Sequence, residues 1–213
     1  MSTPKPALIF DLGNVIAFFD YARACEPLGR RLGLTGPEFL AELRSRGFQS
    51  ILASFERGTI SPLEFSNSVS DLVGLKIDHD EFADLWADIF TLNEPVARIA
   101  VALKKAGHPL LLGSNTNTLH AAHFRAQFAE TLNQFDRLIL SYEVGEIKPE
   151  LAFFEACARA AHREPGQCVF IDDVLENVEG ARRAGLVGVH FRDTQSLLAD
   201  LRLLGIVLDR TQV

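Results

Sequence analysis

The spacing of apolar residues divides the chain into one early strand, a helical block and a block in which helices and strands alternate. Four consecutive apolar residues, Ala7 to Phe10, are typical of a buried strand. Between residues 17 and 92 the apolar positions recur at helical intervals, most regularly in the stripe Phe82, Leu85, Trp86, Ile89 and Phe90. The pattern therefore predicts a strand followed by several helices before any second strand.

Beyond residue 92, each apolar run follows a segment with helical spacing. The runs span residues 109–112, 138–140, 168–171 and 187–191, and the last predicted helix spans residues 195–204. Alternation of this kind indicates right-handed crossovers and a parallel sheet that is covered on both faces. We therefore predict an α/β core domain formed by residues 1–16 and 93–213. Residues 17–92 are inserted after the first strand as a small all-helical domain.

Composition and charge argue against several classes of protein. The chain has 213 residues, 47% of them hydrophobic, but no apolar stretch approaches the roughly 18 residues of a membrane span. The first six residues contain no apolar signal-peptide core. Three cysteines without Cys-x-x-Cys spacing argue against disulfides and cysteine metal clusters, and a formal charge of −7 without a basic run disfavours nucleic acid. We expect a cytoplasmic protein without membrane or nucleic-acid partners; its oligomeric state is not readable from sequence.

The chemically active side chains fall just beyond the predicted strands. They are Asp11 after the first strand, Ser114 and Asn115 after the second, Lys148 in the loop after the third, and Asp172 and Asp173 after the fourth. In open α/β sheets, ligands bind at the carboxyl ends of the strands. We therefore expect these four groups to converge on one edge of the sheet.

Structural explanations exist for each of these residues taken singly. An aspartate after a strand is commonly a turn former or a helix cap, which applies to Asp11 and to the pair Asp172 and Asp173. Ser114 and Asn115 also suit an ordinary turn. Lys148 also fits a solvated loop position. The convergence of all four groups is what favours a functional site.

Three carboxylates held close together repel one another, so the site requires a cation. Oxygen ligands without histidine or cysteine select a hard ion, and Mg²⁺ suits an open set of two or three carboxylates with a phosphate nearby. A lysine and a serine hydroxyl opposite the metal complete a site for a phosphoryl group. Asp11 is then placed to attack phosphorus and to form an aspartyl-phosphate that water hydrolyses.

Four sequence motifs resemble those of the haloacid dehalogenase superfamily of aspartyl-phosphate hydrolases. They are Phe-Asp-Leu-Gly-Asn-Val-Ile, Ser-Asn-Thr-Asn, Lys-Pro-Glu and Ile-Asp-Asp-Val-Leu-Glu-Asn-Val-Glu-Gly-Ala-Arg, in that order along the chain. More narrowly, they resemble the bacterial α-D-glucose-1-phosphate phosphatase-like branch and the N-terminal phosphatase domain of soluble epoxide hydrolases. The resemblance implies a Rossmann-like core, a helical cap at residues 17–92 and a Mg²⁺-dependent phosphatase.

By this resemblance, Asp11 is the nucleophile and a Mg²⁺ ligand. Asp172 is a second carboxylate ligand, Asp173 acts on the metal directly or through water, and Gly13 supplies its main-chain carbonyl. The remaining roles concern the substrate and are those of Ser114, Asn115 and Lys148. Ser114 and the backbone of Asn115 bind the phosphate, and Lys148 orients both the phosphate and the nucleophile.

One position departs from the family pattern. Most phosphatases of this superfamily carry a second aspartate two residues after the nucleophile as the general acid and base, and here that position is Gly13. General acid-base help is worth roughly 10²- to 10⁴-fold in rate. We therefore expect either a slow enzyme or a replacement for the missing carboxylate. The replacement is a substrate with a good leaving group, such as an anomeric sugar phosphate or an acyl phosphate, or a proton from water or from a cap residue such as Asp20.

Three functions are compatible with these residues. The first is hydrolysis of a small phosphate monoester, for example a sugar phosphate, admitted under the cap past residues such as Phe19 or Phe48. The second is a 2-haloacid dehalogenase, which needs neither metal nor a protonated leaving group, although the Asp172 and Asp173 pair favours a metal. The third is a phosphate-binding protein that has lost turnover.

Arg57 fits either a helix-end cation or a contact to an anionic substrate.

Overall fold

The computed structural model describes residues 4–208. Residues 1–3 and 209–213 lie outside the described residues. They include both ends of the predicted core domain and the first half of residues 1–6, in which the sequence shows no signal-peptide core. The strands are β1 (Ala7–Phe10), β2 (Ala17–Phe19), β3 (Phe90–Leu92), β4 (Leu110–Ser114), β5 (Arg137–Leu140), β6 (Cys168–Asp172) and β7 (Val187–His190).

The helices fall into two groups along the chain. Between β2 and β3 lie α1 (Tyr21–Arg30), α2 (Gly36–Ser45), α3 (Phe48–Glu56), α4 (Pro62–Val73) and α5 (His79–Ala87). After β3 come α6 (Glu94–Lys105), α7 (Thr118–Gln127), α8 (Ala129–Leu132), α9 (Ser141–Val144), α10 (Leu151–Ala161), α11 (Leu175–Arg183) and α12 (Thr194–Leu203). The predicted order of helices and strands is therefore largely confirmed.

The core is a five-stranded parallel sheet with the strand order β5-β4-β1-β6-β7. The first strand lies at its centre, with Leu8 in register with Leu110 on one side and with Val169 on the other. The predicted α/β class and parallel sheet are confirmed. Because β1 lies between β4 and β6, the residues that follow these three strands lie next to one another at one edge.

Both faces of the sheet are covered, as the continuous apolar run of β1 requires. Leu8 and Phe10 point to one face and belong to a large core cluster shared with the inserted helices, whereas Ala7 and Ile9 belong to the cluster beneath α10 and α11. All four side chains are fully buried. The central strand is thereby fixed from both sides, which fixes the position of the residue that follows it.

The inserted segment begins and ends with a two-stranded antiparallel ribbon that the sequence pattern did not predict. Strands β2 and β3 pair Ala17 with Leu92 and Phe19 with Phe90. Because α5 ends at Ala87, Phe90 leaves the predicted helical stripe and belongs to β3. Strands of three residues are too short to produce a readable alternation. The boundaries of the proposed insertion, residues 17 and 92, remain a prediction.

The apolar spacing also predicts that Pro27 interrupts the first helix and that one helix runs from about residue 119 to residue 132. In the structure, Pro27 lies inside α1 without interrupting it, and the second helix is divided at Phe128 into α7 and α8. At Phe128 the backbone leaves the helical region with φ −111° and ψ 27°. Neither difference moves a residue of the predicted site.

Aromatic side chains fill the interior of the inserted helices. Phe55 stacks on Phe65 with ring centroids 4.3 Å apart, and Phe82 stacks on Trp86 with centroids 5.7 Å apart. Phe48 is buried against Trp86 in the same cluster and therefore does not line an entrance. Each large aromatic side chain removes on the order of 150–250 Å² from water, and these rings belong to the same buried cluster as Leu8 and Phe10 of the sheet.

The turn after α3 holds the insertion against the core. Arg57 is the C-cap residue of α3, and its guanidinium forms an ion pair with Glu150 of the core. Gly58 adopts a left-handed conformation with φ +70°, and a Cβ atom there would lie 2.4 Å from the carbonyl oxygen of Tyr142. This turn therefore touches the core at two consecutive residues.

Within residues 4–208, no helix is long and apolar enough to cross a membrane.

We expect alanine at position 58 to destabilise the protein more than alanine at position 74. Gly74 has φ +72° with open space around it, so Gly74→Ala should lose only the roughly 1–2 kcal/mol of a left-handed L-residue. Gly58→Ala has the same backbone cost and in addition forces the turn away from Tyr142. Urea unfolding of the two variants measures the difference, and equal losses would show that the turn does not pack against the core as described.

Candidate active site

Two neighbouring strands place two carboxylates side by side. The backbone N–H of Asp11 donates to the carbonyl of Ile171 at 2.8 Å, which fixes Asp11 next to the end of β6. Asp172 is the last residue of β6 and is completely buried, and Asp173 follows it. One oxygen from each of Asp11, Asp172 and Asp173 lies within 4.8 Å of the others. The three predicted carboxylates therefore form one cluster.

Lys148 lies between two of these carboxylates. Its Nζ atom is 2.8 Å from Oδ1 of Asp11 and 2.7 Å from Oδ2 of Asp172, and only 2% of its side chain is exposed. Asn115 holds the backbone of the same residue from both sides, because its Oδ1 accepts from Lys148 N at 2.8 Å and its Nδ2 donates to Lys148 O at 3.1 Å. Lys148 is therefore a buried structural partner of the cluster and not a solvated loop residue.

Two asparagines that the sequence reasoning missed complete the hydrogen bonding of the aspartates. Asn14, with φ 54°, donates from Nδ2 to Asp173 at 3.0 Å. Asn177, near the start of α11, donates from Nδ2 to both oxygens of Asp172 at 3.1 and 3.2 Å. Asn14 lies in the first of the four sequence motifs and Asn177 in the last. That position is the signal from which their role could have been predicted. They restrict each aspartate to one orientation.

Charge in this cluster is unbalanced. Burial, together with the charges of Asp172 and Asp173, raises the pKa of Asp11 to about 7, although Lys148 opposes the change. Burial alone would lower the pKa of Lys148, but the charges of Asp11 and Asp172 outweigh it and raise that pKa. Three carboxylates facing one lysine leave a net charge of about −2 when all are ionised, and this excess is what a cation would neutralise.

Ser114 lies at the end of β4, beside Asp11 across the sheet, and is 2% exposed. Ser114 and Asn115 border the same cavity as Asp11 and Lys148. The structure thus brings every predicted site residue, Gly13 included, to one edge of the sheet, although Asp172 lies just beneath the surface of the cavity. The roles assigned to these residues remain predictions.

The cavity above this edge has a volume of about 230 Å³. Its floor consists of the core residues just described, and its walls come from the insertion and the ribbon. The wall side chains are Phe19, Tyr21, Glu56, Ile89 and Phe90. His120 also borders it, but this side chain is buried, contacts the carbonyl of Trp86, and has a pKa lowered to about 4 by burial. The cavity is small and largely aromatic above a charged floor.

Phe19 occupies the space above Gly13. A Cβ atom on Gly13 would lie 3.1 Å from Cε1 of the Phe19 ring, so a larger side chain there would displace the ring. Asp20, weighed as a proton donor, is exposed and outside the cavity, and its carboxylate accepts from the backbone N–H of Ala22 at the start of α1. Asp20 is therefore a helix cap.

The donor set fits a hard divalent cation. Oxygen atoms from three aspartates are close enough to share one ion, and no histidine or cysteine of residues 4–208 joins that cluster. Mg²⁺ is commonly bound in proteins by one or two carboxylates together with water and phosphate oxygens. The excess negative charge of the cluster gives a second and independent reason for a cation.

Comparison with known proteins gives a consistent result. The family model of haloacid dehalogenase-like hydrolases matches residues 6–185. D-ribitol-5-phosphate phosphatase of Bacteroides thetaiotaomicron is 29% identical over 84% of this chain and 87% of its own length. Phosphatase MT3486 of Mycobacterium tuberculosis is 31% identical over 95% of this chain and 96% of its own.

Two further similarities concern a longer protein and a solved structure. Rat bifunctional epoxide hydrolase 2 is 37% identical over 52% of this chain, but over only 21% of its own length. A haloacid dehalogenase family enzyme of Bacteroides thetaiotaomicron, solved with magnesium and inorganic phosphate, superposes with a TM-score of 0.72. It is 24% identical over 88% of this chain and 94% of that one, a level that supports the fold alone.

We expect Asp11→Asn to stabilise the protein in the presence of a chelator. Because the pKa of Asp11 is raised from 3.8 to about 7, the folded chain keeps a proton that the unfolded chain releases, and stability falls as pH rises between these values. The gain from asparagine should therefore be near zero at pH 4 and complete above pH 7. Each kcal/mol should raise the melting temperature by roughly 2–4 °C.

Lys148→Met should have the opposite effect under the same conditions. Removing the cation between Asp11 and Asp172 leaves two buried carboxylates without compensation, which typically costs about 3–5 kcal/mol. Thermal unfolding of both variants at pH 7.5 is the measurement. A Lys148→Met variant as stable as the wild type would contradict the described charge arrangement.

Proposed function

The chain belongs to the haloacid dehalogenase-like hydrolase family, and we propose that it is a Mg²⁺-dependent phosphatase of small phosphate monoesters. The observation that carries this proposal is the cluster of three aspartates around buried Lys148 at the carboxyl edge of the parallel sheet. Two relatives that match most of the chain are phosphatases, which supports the same reaction.

We assign the chemical steps to residues on the floor of the cavity. Asp11 attacks phosphorus in line with the leaving oxygen, and the bond from phosphorus to the leaving oxygen breaks as the aspartyl-phosphate forms. Lys148, held at 2.8 Å from Asp11, keeps the nucleophile in one orientation and faces the charge on the phosphoryl oxygens. Ser114 and the backbone of Asn115 bind those oxygens from the neighbouring strand end.

The carboxylates of Asp11, Asp172 and Asp173 and the main-chain carbonyl of Gly13 would hold the Mg²⁺ ion. When bound, the ion neutralises negative charge on the phosphoryl group and on the aspartates. Asn14 and Asn177 hold Asp173 and Asp172 in place for this purpose. With glycine at position 13, the aspartate that usually acts as the acid in this family is absent, but the main-chain carbonyl is still available to the metal ion.

The cavity restricts the substrate to a small molecule. A volume of about 230 Å³ lies below the roughly 300–1,000 Å³ of typical ligand pockets, so a phosphoryl group leaves room for only a small alcohol part. The aromatic walls suit the apolar face of a sugar or polyol. A relative that acts on D-ribitol 5-phosphate supports a substrate of this size, and we propose a sugar or polyol phosphate.

Phosphate release from p-nitrophenyl phosphate, glucose 1-phosphate and glucose 6-phosphate tests the reaction. Activity is expected with Mg²⁺, and it should be lost with chelator and in Asp11→Asn because the nucleophile is gone. Asp78→Asn is a matched control, since Asp78 caps α5 away from the cavity and asparagine caps equally well.

Other outcomes of this assay select the alternatives. Halide release from 2-haloacids that depends on Asp11 but not on Mg²⁺ would establish a dehalogenase. Tight binding of phosphate without hydrolysis of any ester would establish a binding protein.

We expect Mg²⁺ to raise the melting temperature of the wild type, and Asp172→Asn to abolish most of that rise. Binding to the folded state alone stabilises it by about 2.7 kcal/mol at 100 times the dissociation constant. Differential scanning fluorimetry across a Mg²⁺ titration measures the effect without an activity assay. An equal rise in both proteins would place the ion elsewhere.

A further inference from the structure

The reaction needs a proton donor that the core does not supply. An alkoxide leaving group must be protonated as its bond to phosphorus breaks, and Gly13 has no side chain to do this. The Phe19 ring fills the space above Gly13, and Asp20 is engaged at the start of α1 outside the cavity. Any carboxyl donor must therefore come from another part of the cavity wall.

Glu56 is the one carboxyl group that the inserted helices contribute to the cavity lining within residues 4–208. The other lining carboxyls, those of Asp11 and Asp173, belong to core strand ends and are committed to the charge cluster. In-line attack by Asp11 requires the leaving oxygen to lie on the far side of phosphorus. Glu56 comes from α3, in the part of the cavity lining that the core does not supply.

The turn that follows Glu56 holds it in position. Glu56 is the last residue of α3, and the next two residues make the contacts with the core described above. Arg57 pairs with Glu150, two residues after Lys148, and Gly58 packs against the backbone of Tyr142. These contacts fix the end of α3 over the strand ends.

The surroundings of Glu56 favour its protonated form. Its side chain is half-buried, and no hydrogen bond within residues 4–208 affects the pKa of its carboxyl group. Burial raises the pKa of Glu56 to about 7, although the positive charge of Lys148 lowers it in part. The carboxyl end of a helix also disfavours a negative charge. A carboxyl group in this state both gives and takes a proton near neutral pH.

We propose that Glu56 is the general acid and base of the reaction and replaces the aspartate that the family usually carries at the position of Gly13. This assignment rests on the phosphatase function proposed above. It adds to that function a specific residue of the insertion, which lies far in the sequence from the nucleophile.

The proton follows a closed cycle. As the Asp11 oxygen bonds to phosphorus and the ester bond breaks, the carboxyl proton of Glu56 passes to the leaving oxygen and an alcohol departs. The Glu56 carboxylate then takes a proton from water as the water oxygen attacks phosphorus. The bond between phosphorus and Asp11 breaks, inorganic phosphate leaves, and both carboxyl groups return to their starting states.

Several other titratable groups share the cavity with Glu56 and contribute to any pH profile. Within residues 4–208 they are Asp11, Tyr21, His120, Lys148 and Asp173. A pH effect is therefore assigned to Glu56 only where it disappears in a Glu56 variant and persists in the control.

The test compares Glu56→Gln with the wild type on two esters. For glucose 6-phosphate, kcat/KM should fall by about 10²- to 10⁴-fold, and the alkaline limb of its pH profile should disappear. For p-nitrophenyl phosphate, kcat/KM should change little, because p-nitrophenolate leaves without a proton. Turnover of this aryl ester should instead slow after a burst of one p-nitrophenolate per enzyme, since water lacks its base.

Three controls separate this role from a structural one. Asp20→Asn should behave as the wild type, because asparagine also caps α1. Glu56→Asp, which keeps the proton on a shorter side chain, should recover part of the activity on glucose 6-phosphate. Glu56→Gln should keep the Mg²⁺-induced rise in melting temperature.

Two results would overturn the assignment. The first is a fall of equal size in kcat/KM for both esters, and the second is a change in KM alone. Either would leave the phosphatase function standing. If the wild type hydrolysed neither ester, the proposed function would fail and the assignment with it.

Discussion

The arrangement of the site depends on one buried cation. Lys148 lies within 2.8 Å of both Asp11 and Asp172, at a point where the two carboxylates would otherwise face each other without water. A buried ion pair contributes little net stability, but loss of one partner is costly. The lysine therefore makes the close approach of the strand ends tolerable, and the remaining negative charge keeps the site ready for a metal ion.

That cation is held by the fold at both ends. Its backbone is bound by Asn115 at the end of β4, and its Nζ atom contacts the residues that follow β1 and end β6. Three adjacent strands thus meet at one side chain. The parallel order β4-β1-β6 is what makes this possible, because only neighbouring strands bring their carboxyl ends within hydrogen-bond distance of a single lysine.

The residues on the floor of the site can be predicted from the sequence, whereas those in its walls cannot. Asp11, Ser114 and Asp172 are readable because each ends or follows an apolar run, so the strand pattern fixes their place. Asn14 and Asn177 lie inside the motifs without following an apolar run, and Glu56 lies outside all four motifs. Asn14 depends on a left-handed backbone, and Glu56 depends on how the insertion docks. Contacts between segments distant in sequence are not encoded in local spacing, which is why the sequence suggests Asp20 and not Glu56 as a donor from the insertion.

The position of the acid has a mechanical consequence. An aspartate at residue 13 would move with the nucleophile, whatever the insertion does. A glutamate at the end of α3 is in place only while the turn at Arg57 and Gly58 rests on the core. Proton transfer by Glu56 then depends on these contacts between the turn and the core. In a chain with Gly13 and Glu56, proton transfer therefore requires the insertion to be docked on the core, whereas an aspartate at residue 13 would not require this.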